Sequence, residues 1–287
     1  ARALEEAGVH VVYGMIGLQT HCKVTLVVRR EPGGIRRYVH LGTGNYNEHT
    51  AKVYSDLSYF TARDDVGRDM VSLFNLLTGY SDPPRWEKLV VAPIALRQRL
   101  LDLVHGARRV AEAGRPAKIV FKTNALIDKA LIDALVGASQ SGVDVVLLVR
   151  GPCTLRPGLA GLTDRLEVRM IIDRFLEHSR VFHFAQDGRE SVFITSTDVM
   201  HRNFDRRIEV MLPVEDERLK RRIIDEILAL ELADDTKAAV LGPEGAYRRV
   251  GGGTVRAQTR FMALAKERAE SVAKPRDGRT SRPRSPY

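Results

Sequence analysis

The hydrophobic and polar positions between residues 21 and 54 predict a β-hairpin. A Pro/Gly turn separates the hydrophobic run 24–28 from a second run, 38–41. Two β-prone runs joined by such a turn are typical of paired antiparallel strands. His21 and Lys23 precede the first strand, and a Thr-Gly-Asn segment ending at Asn45 follows the second. Because alternate residues share one face of a strand, the imidazole and the ammonium could bind one phosphate.

The same layout occurs a second time in the chain. His178 and Arg180 precede the run 181–184, and a returning strand, 191–194, leads into a Ser-Thr-Asp segment ending at Asp198. A single His-x-Lys pair is usually a solvated strand face. Two copies, each with a hydroxyl residue two positions before a carboxamide or a carboxylate, favour a duplicated domain with one site between the copies.

Elsewhere the pattern predicts helices and strands in alternation, as in an α/β protein. Strand–helix–strand order in the second half implies parallel strands with right-handed crossovers and a sheet covered by helices. Such sheets bind ligands at the carboxyl ends of their strands. Arg150 directly follows an apolar strand, which favours a ligand-facing role over a simple surface position. The predicted elements include strands 9–13, 117–122 and 143–149 and helices 66–77, 96–113 and 126–141.

Breaks in the pattern divide the chain. Gly79 and a Pro-Pro pair lie in segment 78–86, which is predicted to link two domains. The first domain is assigned to residues 1–88 and the second to residues 89–270. Residues 271–287 are rich in Pro, Arg and Ser and are predicted to be a disordered basic tail. The chain starts without Met inside a helical pattern, so we expect a missing beginning.

Composition adds a preference for anionic ligands. The hydrophobic content of 44% and the charged content of 28% are ordinary for a globular protein. The net charge is +9, and the tail contributes five basic residues against one acidic residue. The remaining excess suits a polyanion.

Two cysteines exclude a disulfide framework, and Cys22 is interpreted as a small core residue. No transmembrane segment or signal peptide is visible, so a cytoplasmic location is predicted, with peripheral membrane association left open.

These motifs resemble the phospholipase D superfamily, in which two equivalent halves each give a histidine to one site. They resemble bacterial polyphosphate kinase of the first type still more closely. Five blocks match its C-terminal domains in order: THCK, HLGTGNYNEHTAKVYSD, LLVRG, DRFLEHSRV and RRIEV. Where the phospholipase D pattern has an Asp five residues after the Lys, this chain has Val28. The resemblance implies an α/β fold of two phospholipase D-like domains, each a mixed sheet flanked by helices, related by pseudo-duplication.

The resemblance also implies a reaction and roles for its residues. The γ-phosphate of ATP would be transferred reversibly to inorganic polyphosphate through a phosphohistidine. His21 would be the nucleophile, and His178 would act across the site as an acid, a base or a charge stabiliser, and would also bind ATP. Tyr54, which could otherwise simply pack on the core, would contact adenine, and Arg150 would hold the nucleotide phosphates.

Three further residues are assigned to phosphate from their places in the motif: Lys23, Asn45 and Arg180. No metal site is predicted in this chain. Mg²⁺ is expected with ATP, and the family's magnesium-associated arginines are expected upstream of residue 1, so little kinase activity is expected from these 287 residues alone. The predicted partners are ATP or ADP, polyphosphate and further copies of the chain in a homo-oligomer, without specific nucleic-acid binding.

Two other functions fit parts of the sequence. A phospholipase D-like phosphodiesterase would use the same histidines, although the absent Asp counts against it. A non-catalytic module would bind polyanions through the basic body and tail, and its binding would be salt-sensitive without requiring either histidine.

Overall fold

The computed structural model describes residues 1–79 and 85–273 as helices packed on three sheets. The helices are α1 Arg2–Glu6, α2 Asp64–Leu77, α3 Leu96–Glu112, α4 Lys129–Gln140, α5 His201–Asp205, α6 Glu217–Arg221, α7 Ala229–Ala233 and α8 Ala257–Ala273, with a 3₁₀ turn at Thr50–Lys52 and a π-helical segment at Arg222–Leu228. The strands are β1 Gln19–Thr20, β2 Lys23–Glu31, β3 Gly34–Gly42, β4 Tyr54–Ser55, β5 Ser58–Thr61, β6 Val90–Ala92, β7 Ala117–Thr123, β8 Asp144–Val149, β9 Leu166–Ile171, β10 Leu176–Glu177, β11 Val181–Gln186, β12 Arg189–Thr195, β13 Arg207–Pro213, β14 Ala238–Leu241 and β15 Tyr247–Arg249.

The first half is built on the predicted hairpin. Strands β2 and β3 pair antiparallel with Lys23 opposite Gly42, and β5 pairs with β3. Val39 and Leu41 point from this sheet into a core shared with Met70 of α2. The three strands of this sheet are antiparallel, whereas the short strands β1 and β4 of the same half pair in parallel with strands of the second half.

The second half supplies nine strands of a ten-stranded mixed sheet, which confirms the predicted α/β class. Nine of the strands follow the order β1-β13-β12-β11-β7-β8-β9-β14-β15, and β6 pairs with β13. Strands β7, β8 and β9 are parallel, as the strand–helix–strand pattern predicts. Strands β11 and β12 form the second predicted hairpin. The buried apolar side chains of α3 and α4 join those of β7 and β8 in one core.

Five strands of this sheet have one end at the same edge. The carboxyl ends of β7 and β8 lie there, at Thr123 and Val149. Val181 of β11 pairs with Lys122 beside that end. Since β12 and β13 are antiparallel to their neighbours, the end of β12 and the start of β13 lie at this edge as well. Residues distant in sequence are thereby brought to one side of the sheet.

Two short strands of the first half pair with the second half. Strand β1 extends the large sheet by pairing in parallel with β13, with Gln19 opposite Arg207. Strand β4 pairs in parallel with β10, with Tyr54 opposite Leu176. The two halves therefore share main-chain hydrogen bonds on both sides of His21.

Some predicted elements differ from the structure or fall outside it. Residues 9–13 form no strand and are mostly exposed, because no described strand lies beside them to pair with. Helix α8 continues to Ala273, past the predicted start of the tail at residue 271. Residues 80–84 of the predicted linker and 274–287 of the predicted tail lie outside the described residues. No helix within 1–79 or 85–273 is both long and apolar enough to cross a bilayer.

Candidate active site

His21 is held by a carboxylate from the second half of the chain. Its Nδ1 lies 2.9 Å from Oε2 of Glu209, which is completely buried in β13. Glu209 also accepts hydrogen bonds from Ser196 Oγ at 2.5 Å and from Asn203 Nδ2 at 2.7 Å. When Nδ1–H is donated to Glu209, the lone pair of His21 lies on Nε2. An imidazole oriented in this way can act as a nucleophile.

His178, in the second half, is held by a carboxylate from the first half. Its Nδ1 lies 2.8 Å from Oδ1 of Asp56, and His178 is buried. The ring of Tyr54 packs against it with 4.8 Å between the centroids. Burial lowers the pKa of His178 below its ordinary value, and the hydrogen bond to Asp56 offsets only part of that effect. His178 is therefore mainly neutral at neutral pH.

The two histidine–carboxylate pairs are supported in equivalent ways. Thr43 Oγ1 donates a hydrogen bond of 2.7 Å to Asp56, and Ser196 Oγ donates one to Glu209. The hydroxyl and the carboxylate are 13 residues apart in both cases. Each half thus supplies the hydroxyl and carboxylate that orient the histidine of the other half.

The predicted cations Lys23 and Arg180 are both buried beside the histidines. Lys23 Nζ donates to the carbonyl oxygen of His21 at 2.5 Å, and burial lowers the pKa of Lys23 to about 8. Arg180 donates from Nη1 to the carbonyl of Thr43 at 3.1 Å and from Nε to Asp198 at 3.1 Å. Arg180 therefore connects the two halves directly between the histidine pairs.

Tyr54 and Arg150 line a cavity of about 500 Å³ with Ile172 and Arg174. Arg150 lies at the carboxyl end of β8, as predicted, and its Nε donates to Asn124 Oδ1 at 2.8 Å. Burial and the nearby Arg180 lower the pKa of Arg150. Asn124 Nδ2 is buried without a hydrogen-bond partner in the described chain. The cavity itself therefore offers an aromatic ring and guanidinium groups, and Asn124 lies behind Arg150.

Asn45 is separated from this arrangement. It lies exposed on the loop after β3, and its side chain makes no hydrogen bond to another described residue. The structure brings together His21, Lys23, His178 and Arg180. Tyr54 packs on His178 and lines the neighbouring cavity with Arg150. Asn45 is not in contact with these residues.

Metal-binding side chains are not clustered in the part of the chain that the structure describes. No group of three or more His, Cys, Asp or Glu side chains in residues 1–79 and 85–273 could hold a metal ion. The two carboxylates nearest the histidines, Asp56 and Glu209, already accept hydrogen bonds from them.

Sequence reasoning missed the supporting residues Asp56, Asn124, Asn203 and Glu209. Glu209 carried a usable signal, because it is a lone charge inside the apolar strand 208–212. A buried carboxylate at such a position needs a partner, which would have prompted a search for one. Asp56 lies in a polar segment where a carboxylate is unremarkable, so nothing local distinguished it.

The fold and these contacts define a two-part α/β protein with one composite histidine site between its parts. Models of two families match it: polyphosphate kinase C-terminal domain 1 over residues 1–83 and polyphosphate kinase C-terminal domain 2 over residues 89–260. The chain belongs to the polyphosphate kinase family.

Individual relatives agree with this assignment. The polyphosphate kinase of Thermosynechococcus vestitus is 50% identical over 249 residues, covering 87% of this chain and 34% of the relative. That of Streptomyces coelicolor is 47% identical over 249 residues, covering 87% and 33%. The crystal structure of polyphosphate kinase from Porphyromonas gingivalis is 35% identical with a TM-score of 0.88, covering 94% of this chain and 42% of that one. The chain spans about a third of the length of the curated relatives it matches.

Proposed function

We propose that this chain carries the histidine chemistry of a polyphosphate kinase. In this reaction the γ-phosphate of ATP passes reversibly to the end of an inorganic polyphosphate through a phosphohistidine at His21. The observation that carries the proposal is the pair formed by His21 Nδ1 and the buried Glu209 at 2.9 Å. This pair leaves Nε2 as the free nucleophile. Membership of the polyphosphate kinase family supports the choice of substrates.

In the first step, Nε2 of His21 attacks the γ-phosphorus of ATP. The new N–P bond forms as the bond from phosphorus to the β,γ-bridging oxygen breaks, and ADP leaves with that electron pair. The imidazole ring gains positive charge, which the Glu209 carboxylate stabilises through its hydrogen bond to Nδ1. Lys23 and Arg180 would neutralise the phosphoryl oxygens, because positioning and electrostatics dominate phosphoryl transfer.

In the second step, a terminal oxygen of polyphosphate attacks the phosphorus. The N–P bond breaks, its electrons return to Nε2, and the chain gains one phosphate. His178 faces this transfer as a mainly neutral imidazole held by Asp56, so it can exchange a proton or donate to an oxygen. Splitting the transfer in two allows ADP to leave before the acceptor arrives.

The nucleotide would occupy the cavity of about 500 Å³ that contains Tyr54 and Arg150. Tyr54 would contact the adenine, Arg150 would bind phosphate oxygens, and Mg²⁺ would enter with ATP. A phosphate role for Asn45 would require its exposed loop to contact the substrate. Assembly into a homo-oligomer and the lack of specific nucleic-acid binding stay predictions.

The test is transfer of label from γ-labelled ATP with magnesium to the protein. The wild type, His21→Ala and, as a matched control, the exposed His105→Ala are compared. We expect acid-labile, base-stable label on the wild type and on the control, and none on His21→Ala. Label that is unchanged in His21→Ala would contradict the assignment of His21. So would label that is absent from all three proteins both alone and when each carries the N-terminal part of a full-length relative. Cleavage of a phosphodiester without nucleotide would instead support the phosphodiesterase.

A further inference from the structure

Three arginines without carboxylate partners line an open groove beside His21. The groove has a volume of about 460 Å³ and is formed by Arg202, Arg206 and Arg207 on one side and by residues 17–19 on the other. In the described part of the chain, no carboxylate lies within 4 Å of these three guanidinium groups. The nearby Arg97, by contrast, pairs with Asp205 and also contacts Asp128. Uncompensated like charges repel one another, so a bound anion would relieve this repulsion.

Backbone hydrogen bonds connect the groove to His21. The amide of Gln19 donates to the carbonyl of Arg206 at 3.0 Å, and the amide of His21 donates to the carbonyl of Ile208 at 3.0 Å. Arg207 pairs with Gln19 in the sheet, and its Nε donates to Oε1 of that glutamine at 3.0 Å. The groove therefore begins two residues before His21.

Strand geometry also places Arg207 on the same face as the carboxylate that holds His21. Arg207 and Glu209 are alternate residues of β13, so their side chains share a face and start about 7 Å apart. Arg207 is also close enough to Lys23 to contribute to the lowered pKa of that lysine. A ligand in the groove could thus continue to the imidazole of His21.

The cations follow the polar edge of the large sheet in a row. Arg207 is the first residue of β13, Arg180 directly precedes β11, and Arg150 directly follows β8. Strands β13 and β8 are four positions apart in the sheet, which corresponds to about 19 Å. The nucleotide cavity lies at the Arg150 end of the row, and the groove lies at the other end, with the histidines between them.

We propose that the groove formed by Arg202, Arg206 and Arg207 binds successive phosphates of a linear polyphosphate whose end lies at His21. This inference rests on the proposed function and names the side on which the acceptor chain lies. A guanidinium group donates two parallel hydrogen bonds to the oxygens of one phosphate. The lining contains Gly, Leu, Gln and Arg but no aromatic side chain, so nucleic-acid bases would have nothing to stack on.

The experiment measures the Kd of a linear polyphosphate and, separately, of ADP on the full chain. The groove variant is R202Q/R206Q/R207Q, and the control variant is R29Q/R30Q/R36Q. The control removes the same charge from exposed positions near the tip of the first hairpin, about 20 Å or more from Lys23 along β2. A third variant, R202Q/R206Q, leaves the hydrogen bond between Arg207 and Gln19 intact in case the triple variant folds poorly.

We expect the groove variant to bind polyphosphate on the order of 10³-fold more weakly, because three arginines are lost and each charge-assisted hydrogen bond contributes about tenfold. The control should change by about threefold or less, and ADP binding should be unchanged in all variants. R202Q/R206Q should show an intermediate loss. Equal losses in the groove and control variants would overturn the proposal, as would no loss in either, no binding to the wild type, or stronger binding of single-stranded DNA of equal charge.

Label transfer from ATP separates this inference from the proposed function. The R202Q/R206Q variant should accept label at His21 like the wild type, because it leaves Arg207, Lys23 and the residues of the nucleotide cavity unchanged. Selective loss of polyphosphate binding in a protein that accepts no label, even when it carries the N-terminal part of a full-length relative, would support the groove while overturning the histidine chemistry. Normal labelling of the wild type, together with unchanged polyphosphate binding in the groove variant, would support the histidine chemistry and overturn the groove.

Discussion

Glu209 accepts a hydrogen bond from His21 although the two residues are 188 positions apart and belong to different halves of the chain. The pair formed by His178 and Asp56 crosses between the halves in the other direction. Neither half therefore contains a complete histidine site. The two halves are interdependent, because each histidine is oriented by a carboxylate that the other half supplies.

Replacing Glu209 with Gln tests this dependence. The amide keeps the shape of the side chain but loses the charge that stabilises the developing imidazolium. We expect the rate of label transfer from ATP to His21 to fall on the order of 10²-fold or more. Quenched-flow labelling at saturating ATP measures this rate, and circular dichroism checks that the fold is retained.

The control for this variant is Glu217→Gln, since the Glu217 side chain is 67% exposed and its partner is Lys220 on the same surface. It should label at the wild-type rate. If Glu209→Gln is as fast as Glu217→Gln while both remain folded, the carboxylate does not support the chemistry of His21.

Removal of the Tyr54 ring tests the nucleotide cavity. If adenine stacks on the ring, Tyr54→Ala should weaken ADP binding about tenfold or more, whereas Tyr54→Phe should stay within about twofold of the wild type. Isothermal titration calorimetry measures both. The exposed Tyr13→Ala is the control. Equal ADP affinity in Tyr54→Ala and the control would mean that Tyr54 serves only to pack on His178.

The sequence was sufficient to predict the elements that local patterns define. Both hairpins and the parallel strands β7 and β8 follow from runs of apolar residues and turn residues, whose spacing is a local property. The position of Arg150 at a strand end also follows from the pattern. The predicted strand 9–13 failed because an apolar run becomes a strand only when another strand pairs with it.

The contacts between the halves could not be predicted in this way. The pairing of β4 with β10, which sets Tyr54 beside His178, depends on how two distant segments meet in space. The same holds for Asp56, which resembles any polar loop residue until His178 is placed next to it. For Asn45 the motif defined a position in the sequence, but it did not reveal that the side chain is exposed on the loop after β3.

His183 should make the protein sensitive to acid. Burial, together with the nearby Lys118 and Arg221, lowers the pKa of His183 to about 4. The unfolded chain takes up a proton near the ordinary pKa of 6.5, and the folded chain does not. Stability from this group is therefore fully present above pH 6.5 and is lost as the pH falls toward 4.

His183→Gln should flatten that dependence. We expect the slope of the free energy of unfolding against pH to fall by up to about 1.4 kcal/mol per pH unit between these two pKa values. Urea titrations at several pH values provide the slope, and exposed His105→Gln is the control. Parallel curves for His183→Gln and the wild type would show that another group takes up the proton.

Lys122 should be essential for stability because it neutralises two buried carboxylates. Its Nζ lies 2.7 Å from Glu177 and also contacts Glu231, and all three side chains are buried. Glu177 additionally accepts a hydrogen bond from Ser55 of the first half. Lys122→Met should lower the free energy of unfolding by about 3–5 kcal/mol at pH 8, since it leaves buried charge without a partner. Lys129→Met, which removes an exposed partner of Asp133, should cost about 1 kcal/mol or less.

A second replacement distinguishes uncompensated charge from lost packing at Lys122. Burial raises the pKa of Glu231 to about 7 even with Lys122 present, so without the lysine this carboxyl should take up a proton still more readily. Lys122→Met should therefore regain stability relative to the wild type as the pH falls from 8 to 6. The double variant Lys122→Met/Glu231→Leu should recover at least half of the loss at pH 8. Urea unfolding of the wild type, Lys122→Met, Lys129→Met and the double variant gives these free energies. A double variant no more stable than Lys122→Met, with no relative recovery at pH 6, would mean that shape rather than charge determines the role of Lys122.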